Sequence, residues 1–337
     1  MLTTHLSRSP DGELVYENIR LADVARHFGT PCYVYSRATI VENFRAYQAA
    51  FAASKPMICY AVKANSTLSV LALLASEGAG FDIVSGGELQ RVIAAGGDPG
   101  KVIFSGVGKR HDEISLALSH NIFCFNVESE AELCRVNEVA IADGKRARIT
   151  FRINPDVDAK THPYISTGLK SNKFGVAHAD AVRLYALAAS MKGIEVHGIE
   201  CHIGSQITEL SPYVDALRRL LSLVDDLSAR GIQLHHIDLG GGRAINYQSD
   251  DIVPMAEFAN AVEREIAGRH LQLLLEPGRS IVGDAGLLLT KVEYLKPGET
   301  KNFALVDAAM NDLIRPTLYD AWHPVEPVLA RPGATTT

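Results

Sequence analysis

The feature that most limits the fold of this chain is an eightfold alternation of short apolar segments with amphipathic ones. The apolar segments are rich in β-branched and aromatic residues and are flanked by Gly, Pro, Asn or Ser, which is typical of buried strands. They lie at 57–62, 80–85, 101–106, 122–127, 147–154, 194–203, 234–240 and 272–278. Eight successive strand–helix units predict a closed (β/α)8 barrel of parallel strands, and an open doubly wound sheet is the alternative. No GxGxxG motif follows the first strand, which disfavours the open sheet.

The segments between the strands predict helices, for example at 67–76, 88–95, 112–119, 129–142 and 213–230. Several of these helices are followed by a glycine, a residue that readily adopts the left-handed conformation that often terminates a helix. The glycines that we assign to this role are Gly78, Gly96, Gly144, Gly193 and Gly231.

The two ends of the chain depart from the barrel pattern. Residues 14–19 and 32–36 are extended in character, as are 286–296 and 302–309, with no helix expected between the last two. These segments predict a second, mainly β domain built from both chain ends and incomplete at the C-terminus. The predicted division is 1–37 for the N-terminal contribution to the β domain, 38–283 for the barrel and 284–337 for a partial C-terminal β domain.

Composition and charge exclude several classes of partner. The 337 residues carry a net charge of −6 and no run of Lys or Arg, so we expect no nucleic-acid partner. No apolar stretch reaches the roughly 18 residues of a membrane span, and the N-terminus lacks the apolar core of a signal peptide. We therefore expect a cytoplasmic protein without a membrane partner. No CxxC pair or metal-type Cys/His spacing occurs, so no metal is expected.

Residues with useful chemistry follow the predicted strands at their carboxyl ends, where the active sites of such barrels lie. They are Lys63, Ser85, Arg152, Asn154, His202, Ser205, the glycines of 240–242, Glu276, Gly278 and Arg279. Taken singly, a strand-end lysine is usually a solvated residue and a glycine run is usually a loop. Their joint placement at successive strand ends predicts one shared site.

The chemistry of this set suits pyridoxal phosphate. A lysine amine can bond to the aldehyde of that cofactor, and burial can lower the pKa of the amine. A glycine run lets backbone N–H groups approach a phosphate closely. A carboxylate beside the pyridine nitrogen keeps the ring protonated, and an imidazole can stack on the flat ring.

Five segments, at 60–65, 81–89, 200–206, 238–242 and 276–280, resemble the fold-type III pyridoxal-phosphate-dependent decarboxylases. Within that family, the segments 161–175 and 310–323 are similar to the diaminopimelate decarboxylases and differ from the eukaryotic-type ornithine decarboxylases. The resemblance extends from about Glu13 to Ala330.

The resemblance implies a role for each matching residue. Lys63 would hold the cofactor covalently, His202 would stack on its ring, and Glu276 would pair with the pyridine nitrogen; these three are the expected catalytic residues. The phosphate would be held by Ser205, Gly241, Gly242 and the backbone at Pro277, Gly278 and Arg279. Arg279, Arg315 and Tyr319 would bind the far carboxylate of the substrate, because a dicarboxylate needs a guanidinium fork at its non-reacting end.

The implied reaction is the decarboxylation of meso-2,6-diaminopimelate to L-lysine and CO2, the last step of lysine biosynthesis, in a homodimer with shared active sites. The family also has a proton-donating Cys and a phosphate-contacting Tyr beyond the position of Thr337, so we expect a C-terminally truncated member. A further departure is Arg243-Ala244 after the glycine run, where Leu-Gly is more usual. The alternatives are an ornithine, arginine or carboxynorspermidine decarboxylase, an alanine racemase, or a non-catalytic homologue that binds the cofactor.

Overall fold

A computed structural model describes residues 5–158, 173–247 and 251–330. Its central feature is a closed barrel of eight parallel strands, whose eighth strand pairs with the first through Leu274 opposite Met57 and Leu275 opposite Ile58. The barrel strands are Met57–Ala61, Gly80–Ile83, Val102–Phe104, Cys124–Val127, Ala147–Asn154, Ile194–Glu200, His236–Asp238 and Gln272–Leu275. Closure confirms the predicted (β/α)8 architecture, and the open-sheet alternative is wrong.

Helices follow the barrel strands as the alternating pattern predicts. They are Leu68–Ser76, Gly86–Ala94, His111–Ser119, Glu130–Ala142, His178–Ser190, Ser211–Ala229, Met255–Ile266 and the short Arg279–Val282, and Arg37–Ala50 precedes the first strand. Side-chain caps fix two of the starts, because Ser85 Oγ accepts from the backbone N–H of Glu88 and Ser129 Oγ from that of Glu132. The barrel also contains two short 3-10 turns, Val62–Ala64 and Pro99–Lys101.

Four of the five assigned helix-ending glycines have left-handed backbones, and Gly193 does not. The φ angles at Gly78, Gly96, Gly144 and Gly231 lie between 65° and 86°. The helix before Gly193 already ends at Ser190, and a Cβ at Gly193 would lie 2.7 Å from the carbonyl oxygen of Asn137. A close backbone approach therefore requires the glycine at 193, and the prediction of a helix-ending role there was wrong.

The described residues form two compact units: a barrel unit, Asn43–Ile245 with Asp251–Ile281, and a β unit made of the rest. The strands of the β unit are Leu6–Arg8, Leu14–Tyr16, Ile19–Arg20, Cys32–Tyr35, Gly286–Leu289, Val292–Lys296 and Phe303–Val306. Cys32–Tyr35 pairs antiparallel with Gly286–Leu289, so both ends of the chain contribute to this unit as predicted. The exact domain boundaries stay a prediction.

The β unit has a small core of its own, formed by Leu14, Tyr16, Leu21 and Leu289. It also holds two helices that the sequence pattern did not predict, Leu21–Phe28 and Arg315–Tyr319. Both are short; the helix Leu21–Phe28 is nevertheless strongly amphipathic, so its helical pattern was present in the sequence and was missed. In the part of the chain that the structure describes, no helix is long and apolar enough to cross a membrane.

Candidate active site

The barrel places the three predicted catalytic residues at the carboxyl ends of three strands. Lys63 lies in the turn after the first strand, His202 lies two residues beyond the sixth strand, and Glu276 directly follows the eighth. The backbone N–H of Ala61 donates to the carbonyl of Pro277 at 3.0 Å, which ties the end of the first strand to the loop after the eighth.

The amine of Lys63 is held by Asp82, a residue to which the sequence reasoning assigned no role. Lys63 Nζ donates to Asp82 Oδ2 at 2.6 Å, and Asp82 is wholly buried on the second strand. Burial lowers the pKa of the Lys63 amine, but the charges of Asp82 and Glu276 outweigh that effect, so the pKa lies above its ordinary value. The sequence did offer a signal for Asp82, because it is the only carboxylate within the otherwise apolar strand Gly80–Ile83.

Glu276 is 4% exposed, and its carboxyl group lies among other acidic groups. Burial is the largest cause that raises the pKa of Glu276 well above its ordinary value, followed by the charges of Asp238, Asp82 and Glu200. The side-chain amide of Asn126 donates to Glu276 Oε1 at 3.4 Å. A cationic N–H placed beside this carboxyl group would stabilise its ionised form, which is the chemistry that a pyridine nitrogen requires.

His202 is held as a neutral ring with a fixed orientation. Burial, together with the nearby charges of Arg152 and Lys63, lowers the pKa of His202 well below its ordinary value. The backbone N–H of Gly241 donates to His202 Nδ1 at 3.2 Å, so this nitrogen carries a lone pair. A neutral, oriented imidazole suits the predicted stacking role, which stays a prediction.

The glycine run is required by close backbone approaches. A Cβ at Gly241 would lie 2.1 Å from the carbonyl oxygen of Glu276, and one at Gly242 would lie 2.3 Å from that of Gly204. Gly242 also has a φ of +100°. No larger residue fits there without movement of the backbone.

A third loop joins this region through Arg279. Its Nε and Nη2 atoms donate to Ser205 Oγ at 3.3 and 3.2 Å. The loops after the sixth, seventh and eighth strands therefore meet, and they bring Ser205, the glycines and the 277–279 backbone together. We call the group formed by Ser205, Gly241, Gly242 and the 277–279 backbone the glycine-lined cradle. The Lys63 amine, the buried Glu276 carboxyl group and this cradle fit, respectively, the aldehyde, the pyridine nitrogen and the phosphate of pyridoxal phosphate.

Arg152 is a buried cation in the same part of the barrel, to which the sequence reasoning gave no function. Its Nη1 atom lies 3.4 Å from Glu128 Oε1, its Nε lies 3.8 Å from Glu200 Oε1, and its Nη2 donates to the carbonyl of His202 at 3.3 Å. Arg152 thus compensates two buried carboxyl groups and also supports the backbone that carries His202.

Two predicted substrate-binding residues, Arg315 and Tyr319, belong to the β unit, on the helix Arg315–Tyr319. The guanidinium carbon of Arg315 lies 5.0 Å from the centre of the Tyr247 ring and 5.6 Å from that of Tyr319. The structure therefore brings this pair together, and its role toward a substrate carboxylate stays a prediction. Most of the segment 161–175, which also carried the resemblance, lies outside the described residues.

Comparison with known proteins identifies the family of this chain. Residues 37–283 match the family model of the pyridoxal-dependent decarboxylases, pyridoxal binding domain. The diaminopimelate decarboxylase of Neisseria meningitidis serogroup B is 57% identical over 96% of this chain and 78% of its own length, and that of Pseudomonas aeruginosa is 56% identical over the same shares. The Helicobacter pylori diaminopimelate decarboxylase, solved with L-lysine, is 43% identical, with a TM-score of 0.88 over 90% of this chain and 77% of its own. The chain therefore belongs to the diaminopimelate decarboxylases, within the pyridoxal-dependent decarboxylase family.

Proposed function

We propose that this chain removes one carboxylate from meso-2,6-diaminopimelate to give L-lysine and CO2, with pyridoxal phosphate held by Lys63. The observation that carries the proposal is the grouping of the Lys63 amine, the buried Glu276 carboxyl group and the glycine-lined cradle at one end of a barrel of this family. The expected cytoplasmic location and the homodimer with shared sites are part of the same proposal.

Each residue has a task that follows from its surroundings. When bound, pyridoxal phosphate supplies a ring that accepts the electrons left at the substrate α-carbon. Lys63 must lose a proton before its amine can bond to a carbonyl carbon, and Asp82 Oδ2, 2.6 Å from Nζ, is in position to accept it. Glu276 holds the positive N–H of the ring, and neutral His202 presents a fixed flat face.

The remaining assignments concern the phosphate of the cofactor and the far carboxylate of the substrate. Ser205, Gly241, Gly242 and the backbone at Pro277 and Gly278 hold the phosphate. Arg279, Arg315 and Tyr319 bind the far carboxylate, and this part of the proposal rests on the sequence resemblance. A substrate with a cationic far end would favour an acidic residue in place of Arg315, which is why the other amino-acid decarboxylases are weaker candidates.

Borohydride reduction in the presence of pyridoxal phosphate, followed by peptide mapping, tests the first half of the proposal. We expect the pyridoxyl group on Lys63, and a label on another lysine would contradict the assignment. CO2 release measured with meso-diaminopimelate, L-ornithine and L-arginine tests the second half. Turnover of ornithine or arginine in preference to diaminopimelate would refute the proposed substrate.

A further inference from the structure

Two neighbouring loops at the carboxyl end of the barrel are joined by four hydrogen bonds. The backbone N–H of Ile207 donates to the carbonyl of Gly242 at 2.9 Å, and that of Ala244 donates to the carbonyl of Ile207 at 3.1 Å. The side chain of Gln206 adds the other two. Its Nε2 donates to the carbonyl of Ile245 at 2.6 Å, and its Oε1 accepts from the backbone N–H of Ile245 at 3.3 Å. The side-chain amide of Gln206 thus forms the same two hydrogen bonds with the backbone of Ile245 that a residue on a neighbouring strand would form.

The backbone of Gln206 adopts a conformation that is unfavourable for its residue type. Its φ angle is +59°, in the left-handed region that residues other than glycine seldom occupy. Such conformations persist where the surrounding contacts over-determine them, and they concentrate at functional sites. Here the conformation lets the chain turn after Ser205 while the Gln206 side chain reaches the next loop.

These contacts fix the direction of the backbone donors in the glycine run. Because the carbonyl of Gly242 points at the N–H of Ile207, the N–H of Arg243, in the same trans peptide unit, points the opposite way. Among the described residues, the backbone N–H groups of Gly242 and Arg243 have no acceptor, whereas those of Gly240 and Gly241 donate to Asp238 Oδ1 and His202 Nδ1. Two successive free N–H groups are the donors that an anion can use.

We propose that Gln206 is a positioning residue that holds the phosphate-binding backbone at 242–243 in its anion-accepting arrangement. The proposal rests on the proposed function, because it takes the phosphate of pyridoxal phosphate to be the anion. Gln206 acts through Ile245 and the two-loop pairing. Its loss therefore weakens the recognition of the phosphate group and leaves the recognition of the aldehyde and ring unchanged.

Pyridoxal, which lacks the phosphate, separates this role from a general stabilising one. We would measure the dissociation constants of pyridoxal phosphate and pyridoxal by absorbance titration for the natural chain, Gln206→Leu and Gln206→Asn. The Asn variant tolerates a left-handed backbone and keeps the amide, but it is one methylene too short to reach Ile245. Gln233→Leu is the matched control, since Gln233 is exposed and bonds only Ser228 among the described residues.

For both Gln206 variants we expect the ratio of the two dissociation constants to shift by about tenfold against the phosphorylated ligand, the size of one or two net hydrogen bonds. The ratio for Gln233→Leu should not change. Equal weakening of both ligands, or no weakening of either, would overturn the proposal. If the natural chain itself binds the two ligands equally well, the phosphate site of the proposed function fails, which is a different result from a failure of Gln206 alone.

Discussion

The barrel contains a buried histidine that should make its stability depend on pH. His236 begins the seventh barrel strand, is 1% exposed, and has its Nε2 atom 2.8 Å from Thr150 Oγ1. Burial, with smaller contributions from His197 and His235, lowers the pKa of His236 to about 3. Because the folded-state pKa lies below the unfolded value of about 6.5, the neutral imidazole favours folding. This contribution is fully present above pH 6.5 and is lost as the pH falls from 6.5 toward 3.

The size of the effect follows from the two pKa values. The unfolded chain takes up the proton first, so at pH 5 the linkage costs the folded state about 2 kcal/mol relative to pH 7.5. The substitution His236→Gln removes the titrating group and keeps an amide that can reach Thr150. We therefore expect the natural chain to lose about 2 kcal/mol more stability than His236→Gln between pH 7.5 and pH 5.0.

Urea unfolding followed by far-ultraviolet circular dichroism at both pH values measures this difference. Circular dichroism reports on the helices of the barrel unit, whereas the single tryptophan, Trp322, lies in the β unit. Buried carboxyl groups titrate in both proteins, so their contributions cancel in the comparison. The exposed His270 supplies the control substitution, His270→Gln. A difference below about 0.5 kcal/mol between the natural chain and His236→Gln would refute the reasoning, because it would mean that His236 is not held neutral by burial.

Three further predictions concern the proposed reaction. Glu276→Gln should retain pyridoxal phosphate, measured by absorbance, but lower turnover by roughly 10²-fold or more, because the ring loses its ionic partner; unchanged CO2 release would contradict that role. Gly241→Ala should lower kcat/KM by roughly 10²-fold, because a Cβ 2.1 Å from the Glu276 carbonyl oxygen forces the loop to move by about an ångström; normal kinetics would show that the close approach is dispensable. Arg315→Lys keeps the charge but loses the guanidinium fork, so kcat/KM for meso-diaminopimelate should fall by an amount equivalent to about 1.5–3 kcal/mol, and normal processing would count against substrate contact by Arg315.

The sequence predicted the barrel because its signal is periodic and local. Each strand and helix could be recognised from its own residues, and the parallel order then required Lys63 and Glu276 to lie at the same end of the barrel. The short helix Leu21–Phe28 is strongly amphipathic, so its period was also visible in the sequence, but the neighbouring extended segments led us to predict only strands in that part of the chain. Gly193 was assigned a wrong role because its constraint comes from Asn137, which is distant in sequence and cannot be identified from the local pattern.

For a related reason, the predicted site lacked Asp82 and included Arg152 without a function. Asp82 and Arg152 are defined by the groups that they contact across strands: Lys63 in one case, and Glu128 and Glu200 in the other. No spacing rule along the chain relates these residues. A charged residue in an otherwise apolar strand was nevertheless visible at Asp82, and burial of an unpaired charge is costly enough that such a residue should have a partner.

The balance of charge inside the barrel indicates what kind of group the site is built to accept. Asp82, Glu200 and Asp238 are each at most 1% exposed, and one carboxyl oxygen of Asp82 and one of Glu200 have no hydrogen-bond partner among the described residues. Burial raises the pKa of Asp238 to about 7 and that of Glu200 well above its ordinary value. So many buried carboxyl groups oppose one another's ionisation, and Glu276 lies among them. A cation beside Glu276 would relieve this repulsion, which supports the proposed pairing of Glu276 with a protonated ring nitrogen. Binding of the cofactor should then release protons where it converts a neutral carboxyl group into a carboxylate.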